Sequence, residues 1–152
     1  MIRIKNLFDL SHTQADGYLS GFEYPWQALK GIKDFITAYG NELDKSEYKE
    51  VKPCVWVHNS ATVAPTAYIG APCIIGAETE IRHCAFIRGS VFAGRGCVIG
   101  NSTELKNVIL FDEVQVPHYN YVGDSIMGYK AHMGAGSITS NVKSDRTLIT
   151  VD

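Results

Sequence analysis

Arg88 and Lys106 form the first pair of side chains whose spacing suggests chemistry. They are eighteen residues apart, so a chain that winds with a repeat of that length places them side by side. Two cations about 4.8 Å apart repel each other unless an anion lies between them, and a phosphate group is the obvious guest. The alternative is that both are flexible surface side chains whose charges are screened by solvent. The residues alone leave both interpretations open.

His118 is the second candidate, and it follows Lys106 by twelve residues in the segment VPHYNYVGD. Histidine accepts a proton near neutral pH and is the commonest general base in enzymes. A single histidine is nevertheless more often structural or simply exposed. His118 therefore needs a structural context before a catalytic role can be assigned to it.

A six-residue repeat that could position these side chains begins after residue 56. Stepping by six, ten of eleven positions are apolar residues other than proline, with no insertion across sixty residues. The positions are Val57, Val63, Ile69, Ile75, Ile81, Ile87, Ala93, Ile99, Leu105, Phe111 and Pro117. Four places after each comes a second series whose first eight members are small or β-branched, and glycine often follows the aliphatic position.

This period predicts an all-β solenoid, a parallel β-helix of hexapeptide repeats. Each hexad forms a short strand and a corner, and coils of about eighteen residues stack because one coil cannot bury its own apolar face. Glycine is expected to ease the turns. Polar residues that replace it should face outward: Arg82, Arg88, Lys106, Asp112 and His118. Two hexads separate His118 from Lys106, so the imidazole should lie on a different face from the two cations.

Residues 24–42 have a different pattern, with apolar side chains spaced three and four residues apart. This predicts an amphipathic helix that begins near Pro25 and ends near Gly40. Its apolar stripe could bind a partner or a membrane, but packing on the following domain is favoured. We therefore divide the chain into a helical cap or linker, residues 1–52, and a β-helix domain, residues 53–152.

Three blocks of the repeat region are more specific than the hexad: GNSTELKN, PHYNYVGDSIMG and MGAGSITSN. From about Val57 to Asn141 the chain resembles the left-handed β-helix acyltransferases with hexapeptide repeats. Within them it is most similar to the C-terminal acetyltransferase domain of the bifunctional UDP-N-acetylglucosamine pyrophosphorylase/glucosamine-1-phosphate acetyltransferase. A register slip is shared as well, because Val122 and Met127 are only five residues apart.

The resemblance implies an acetyl-CoA-dependent N-acyltransferase that acts on an amino-sugar phosphate or nucleotide-sugar precursor. It also implies a homotrimer with sites between subunits. By the same resemblance, Arg88 and Lys106 hold the sugar phosphate, and His118 is the general base for the acceptor amine. Tyr121 and Asn141 match residues that contact the sugar.

Departures from the family concern the acceptor pocket. His132 stands where the family has asparagine, and Val142 stands where it has tyrosine, so the acceptor can differ from glucosamine 1-phosphate. A backbone amide in the glycine-rich turn at 134–136 is a candidate for stabilising the oxyanion. No uridylyltransferase unit precedes the repeat, so nucleotidyltransferase activity is not expected. Only about five coils are present and nothing caps the last edge, which indicates C-terminal truncation.

Two other functions compete with the acyltransferase interpretation. A γ-type carbonic anhydrase has the same fold but needs a closely spaced histidine pair, and the histidines at 12, 58, 83, 118 and 132 include no pair five residues apart. A non-catalytic sugar-phosphate-binding scaffold or regulatory protein is left open by the altered pocket and the short C-terminus.

Composition indicates which classes of partner the protein is not expected to bind. With 14 basic and 16 acidic residues the net charge is −2, without the basic excess of a nucleic-acid-binding surface. No apolar run approaches the roughly 18 residues of a membrane span, and the N-terminus lacks a signal-peptide core. We therefore expect a cytoplasmic protein without nucleic-acid or membrane partners. The four cysteines form no C-x-x-C pair, and we expect small buried side chains, with Cys73 and Cys97 in the core, rather than metal ligands.

Overall fold

The chain forms a parallel β-helix with a helical segment packed on its side. A computed structural model describes residues 1–140 and 142–147. The helices are α1 Ile4–Leu7, α2 Asp16–Leu19, α3 Pro25–Ala28 and α4 Ile32–Glu42, with 3₁₀ turns at Leu10–His12 and Leu29–Gly31. The strands are β1 Tyr48–Lys52, β2 Val55–His58, β3 Thr62–Val63, β4 Tyr68–Ile69, β5 Cys73–Ile75, β6 Glu80–Ile81, β7 Phe86–Ile87, β8 Val91–Ala93, β9 Val98–Asn101, β10 Glu104–Leu110, β11 Gln115–His118 and β12 Tyr121–Met127.

The strands from β2 onward build the three faces of a prism. The first face stacks β2, β5, β8 and the C-terminal halves of β10 and β12. The second face stacks β3, β6, β9 and β11. The third face stacks β4, β7 and the N-terminal halves of β10 and β12. All of these pairings are parallel, which confirms the predicted solenoid, whereas β1 pairs antiparallel with β2 and lies outside the repeat.

The coil length changes at the corner after Leu105. Ile87 pairs with Leu105, eighteen residues later, but Val91 pairs with Val108, only seventeen later. Two residues, Lys106 and Asn107, form a corner that needs three in the preceding coil. The prediction of an uninterrupted hexad series to Pro117 is therefore wrong beyond Leu105.

Two interior positions move back by one residue as a result. Leu110 pairs with Ala93 and Val116 pairs with Ile99, in the positions that the hexad pattern assigned to Phe111 and Pro117. The second short corner, between Val122 and Ser125, is the slip that the sequence did reveal.

Glycine in the hexads serves the stacking of coils more than the turns. A Cβ atom placed on Gly100 would lie 1.5 Å from the Pro117 carbonyl oxygen, and one on Gly70 would lie 2.4 Å from the Arg88 carbonyl oxygen. Neither glycine has the positive φ that a turn would require of it. Left-handed corners are instead formed largely by other residues, among them Ser90, Asn107 and Asp124.

The predicted helix over residues 24–42 is interrupted. Pro25 begins α3 as expected, but a 3₁₀ turn at Leu29–Gly31 separates it from α4. The cause is tertiary: the Tyr18 hydroxyl donates to the Ala28 carbonyl oxygen and lies where a Cβ of residue 31 would be, at 2.6 Å. Gly31 therefore accommodates Tyr18 at the break.

The apolar stripe of α4 packs on the first face of the prism. Ile32 and Ile36 are buried, and the Phe35 and Tyr39 rings lie 5.8 and 6.3 Å from the ring of Phe92. Gly40 lies within α4, and a Cβ there would be 2.3 Å from the Trp56 ring. From here on, the name helical cap refers only to residues 16–42, the part of the predicted segment 1–52 that contains α2, α3 and α4.

The cysteines follow the expectation only in part. Cys73 and Cys97 are fully buried, and burial raises the pKa of both thiols, that of Cys97 to about 12. Cys54 is half-buried and Cys84 is exposed, so these two are not core residues. All four are free thiols. In the described part of the chain, no helix is long and apolar enough to cross a membrane.

Candidate functional site

Arg88 and Lys106 lie at the corner between the third and first faces. The pairing of Ile87 with Leu105 places them next to each other in successive coils. Both side chains are partly exposed, 46% for Arg88 and 40% for Lys106. The eighteen-residue spacing therefore brings these two residues to one edge, as the repeat predicts.

Each cation already has a carboxylate partner that the sequence did not single out. Arg88 Nη1 lies 2.9 Å from Glu104 Oε1, and Lys106 Nζ lies 3.1 Å from Asp124 Oδ2. The four formal charges cancel, so a ligand phosphate must share or displace these carboxylates. A common anion between Arg88 and Lys106 remains a prediction.

Asn107 and Asp124 occupy equivalent places in the two shortened corners. Both have left-handed backbones, with φ of 56° and 47°, a conformation that Asn and Asp tolerate better than most residues. Asn107 Nδ2 donates to Asp124 Oδ1 at 2.9 Å and to the Leu29 carbonyl oxygen at 3.1 Å. Asp124 thus receives hydrogen bonds from both Asn107 and Lys106.

His118 ends β11 on the second face, with its side chain exposed. Its backbone N–H donates to Asn120 Oδ1 at 3.0 Å, and its carbonyl oxygen accepts from the Gly136 N–H at 3.0 Å. Asn120 is buried, and its Nδ2 donates to the carbonyl oxygens of Gly134 and Ser137. The backbone that carries the imidazole is therefore held by several bonds.

The Gly136 amide is occupied by its bond to His118, so it is not available to an oxyanion in this conformation. Within the described residues the His118 imidazole itself makes no hydrogen bond. It is therefore placed to meet a group from outside the chain.

The remaining predicted residues divide between two faces. Tyr121 begins β12 on the third face. Its hydroxyl lies 2.5 Å from where a Cβ of Gly123 would be, and Gly123 pairs with Lys106 in the neighbouring strand. His132 lies on the second face, where its Nδ1 is 3.3 Å from Gln115 Oε1. Asn141 lies outside the described residues.

A single protomer therefore separates the two halves of the predicted site. Arg88, Lys106 and Tyr121 belong to the third face and its corner, whereas His118 and His132 belong to the second face. Among the described residues, no group of three or more histidine, cysteine or acidic side chains is arranged to hold a metal ion.

The sequence matches the family model described as the GMPPB C-terminal domain over residues 71–148, just over half of the chain. The chain belongs to the GMPPB C-terminal domain family. The matched region begins just before β5 and includes all six residues predicted to form the site.

Curated relatives of this GMPPB C-terminal domain protein are named bifunctional protein GlmU. The relative from Methanococcus maripaludis strain C5 is 27% identical over 145 residues, which cover 94% of this chain and 35% of the relative. The relative from Leifsonia xyli subsp. xyli is 37% identical over 93 residues, 59% of this chain and 15% of that protein. The chain thus spans about a third of the length of the first of these relatives. These matches confirm the resemblance found in the sequence.

Solved structures share the fold. The acetyltransferase domain of PglB from Neisseria gonorrhoeae FA1090 superposes with a TM-score of 0.53 and 19% identity, covering 54% of this chain and 41% of that domain. A second structure of the same domain, in complex with acetyl coenzyme A, superposes equally well. At this identity the likeness establishes the β-helix fold of a GMPPB C-terminal domain protein and nothing finer.

Proposed function

We propose that the chain is an acetyl-CoA-dependent N-acyltransferase acting on an amino-sugar phosphate or a related nucleotide-sugar precursor. One observation carries the proposal: a corner with two adjacent cations and an exposed, backbone-anchored histidine occur on neighbouring faces of one prism. The GlmU relatives and the fold shared with a domain solved with acetyl coenzyme A support the choice of donor.

Acetyl-CoA supplies an activated acetyl thioester to such a reaction. The acceptor nitrogen bonds to the acetyl carbonyl carbon, the carbon–sulfur bond breaks, and coenzyme A leaves. His118 takes the proton that the amine loses and returns it to the leaving sulfur, which is general base and then general acid catalysis. Arg88 and Lys106 bind the sugar phosphate through charge-assisted hydrogen bonds, sharing or displacing Glu104 and Asp124.

The direct test is turnover. Incubated with acetyl-CoA and glucosamine 1-phosphate, or with other amino-sugar phosphates or nucleotide-linked amino sugars, the protein is expected to release coenzyme A and form an N-acetylated product visible by mass spectrometry. The acceptor panel matters because His132 and Val142 differ from the residues that the resemblance expects there. Failure with every amino-sugar phosphate and every nucleotide-linked amino sugar tested would contradict the proposal.

A non-catalytic sugar-phosphate-binding scaffold is the second candidate. The observation that favours it is the altered acceptor pocket, where His132 and Val142 stand in place of the residues that the resemblance expects. Saturable binding of a sugar phosphate without any turnover is the result that this alternative predicts.

The separation of the two halves of the site leads us to predict a homotrimer. The third face exposes Tyr68 and Phe86, 57% and 44% accessible, with ring centroids 5.6 Å apart, and exposed apolar patches often mark interfaces. A closed ring of three prisms brings the His118 face of one copy against the corner with Arg88 and Lys106 of the next.

Light scattering at micromolar concentration should therefore give three times the monomer mass. Phe86→Glu should reduce that mass, whereas Val51→Glu, at an apolar position on β1 that is slightly more exposed, should not. A clean monomer for the unmodified protein would argue against a shared site.

A further inference from the structure

A hydrogen bond joins the helical cap to the corner that carries Arg88 and Lys106, the residues predicted to bind phosphate. Its acceptor is one carbonyl group of the cap. The Leu29 carbonyl oxygen accepts from Asn107 Nδ2 at 3.1 Å, and the same nitrogen lies 2.9 Å from Asp124 Oδ1. Asp124 in turn lies 3.1 Å from Lys106 Nζ. Three consecutive polar contacts thus join the cap to one of the two cations.

This connection depends on the shortened corners. The equivalent corners of the two preceding coils contain Ala71–Pro72 and Gly89–Ser90, which offer neither an amide side chain nor a carboxylate. The two short corners place Asn107 and Asp124 in stacked left-handed positions, seventeen residues apart. Their polar side chains meet each other and, through Asn107, the cap.

The cap end of the connection is firmly placed. Leu29 begins the 3₁₀ turn that separates α3 from α4, beside the bond from the Tyr18 hydroxyl to the Ala28 carbonyl oxygen. Ile32, in the first turn of α4, is fully buried. The Leu29 carbonyl is therefore a fixed acceptor, and its hydrogen bond holds the side-chain amide of Asn107 in place.

We propose that the helical cap positions Lys106 for the phosphate through Asn107 and Asp124. This proposal rests on the proposed function, because it concerns the same sugar-phosphate site. A free lysine side chain loses rotamer freedom when it binds a ligand, and a carboxylate that already orients the ammonium removes part of that cost. In this proposal the phosphate shares Lys106 with Asp124 and does not displace it. By thermodynamic reciprocity, a ligand that engages Lys106 must also stabilise the attachment of the cap.

The test uses Asn107→Gly, which removes the amide and keeps the left-handed backbone accessible. The dissociation constants of glucosamine 1-phosphate and inorganic phosphate, measured by calorimetry, should rise about threefold to tenfold, as expected for the loss of one or two hydrogen bonds. Hydrogen exchange in residues 25–42 should slow when sugar phosphate is added to the unmodified protein, and this response should disappear in the variant.

Ser90→Gly is the matched control. Ser90 has the same left-handed conformation, φ 55°, in the corresponding corner one coil earlier, so Ser90→Gly reproduces the added flexibility and leaves the bond from Asn107 to Leu29 in place. Equal ligand affinity and equal exchange responses in Asn107→Gly and Ser90→Gly would overturn the proposal and leave the cap as packing only.

A third variant, Lys106→Ala, distinguishes failure of the role of the cap from failure of the phosphate site itself. If Lys106→Ala loses binding while Asn107→Gly binds like Ser90→Gly, only the role of the cap is refuted. If Lys106→Ala binds as well as the unmodified protein, or if the unmodified protein binds neither probe, the phosphate site of the proposed function fails and this inference fails with it.

Discussion

Replacing His118 with alanine is expected to lower kcat for amide formation by about 10²–10⁴-fold, the usual contribution of a positioned general base. The acceptor KM should change little, because phosphate binding rests on Arg88 and Lys106 at another corner of the prism. Anchoring by Asn120 and Gly136 involves the backbone of His118, so the substitution should leave the fold intact. The measurement is steady-state formation of N-acetylated product with saturating acetyl-CoA.

His83→Ala is the matched control for this experiment. His83 is also exposed and lies on the second face, where its Nδ1 is 2.8 Å from Thr66 Oγ1. Losing this imidazole should not alter kcat. Wild-type turnover by His118→Ala would rule out His118 as the base.

Because His118 and Arg88 lie on different faces, a mixture of two variants can test whether one site uses residues from two subunits. Arg88→Ala subunits retain the base and His118→Ala subunits retain the cation. If each site is formed by two copies, a mixture of the two impaired proteins should be more active than either protein alone. Recovery fails if both residues act within one protomer.

The periodicity of the sequence predicted the coil correctly as far as Leu105, because each hexad places one aliphatic residue in a narrow interior. Beyond that point the count continued onto Phe111, which is fully buried although it is not the residue in register. Leu110 and Phe111 are both apolar and both buried, so hydrophobicity cannot distinguish a coil of seventeen residues from one of eighteen. Asn107 was the available signal, since asparagine is tolerated in left-handed corners.

The sequence did not predict the carboxylates that pair with Arg88 and Lys106, and the reason is again the register of the coils. Asp124 contacts Lys106 only because the corner is one residue short, which the uninterrupted hexad count did not include. Glu104 lies sixteen residues after Arg88, in the neighbouring strand. The eighteen-residue spacing pairs corner residues only with other corner residues, so it does not predict this contact. Residue types therefore predicted where charge accumulates, while the neutralising contacts required the actual register.

The interruption of the predicted helix could not be read from the helix itself. Its cause is the side chain of Tyr18, which comes from another helix and lies against Gly31. The spacing of the apolar residues is compatible with an unbroken helix, so this spacing alone does not reveal the break. The same break places Leu29 opposite Asn107.

Gly100→Ala is expected to destabilise the protein strongly, because the next coil is stacked directly against this position. A methyl group there would lie 1.5 Å from the Pro117 carbonyl oxygen and 2.0 Å from its carbonyl carbon. Backbone atoms cannot turn aside as a flexible side chain can, so the coils must separate. Overpacking in a close-packed interior costs about 1–3 kcal/mol, occasionally more. The measurement is the thermal unfolding midpoint at a fixed protein concentration.

Gly134→Ala provides the comparison within the same column of the prism. Pro117 is in register with both positions, but a Cβ on Gly134 would find its nearest neighbour, Ser137 Oγ, at 3.7 Å. This exposed substitution should stay within about 0.5 kcal/mol of the unmodified protein. Gly100→Ala should also reduce turnover, since Pro117 directly precedes His118 and any movement of the coil moves the base. Equal stability of the two variants would contradict the conclusion that the close approach of the coils requires glycine at position 100.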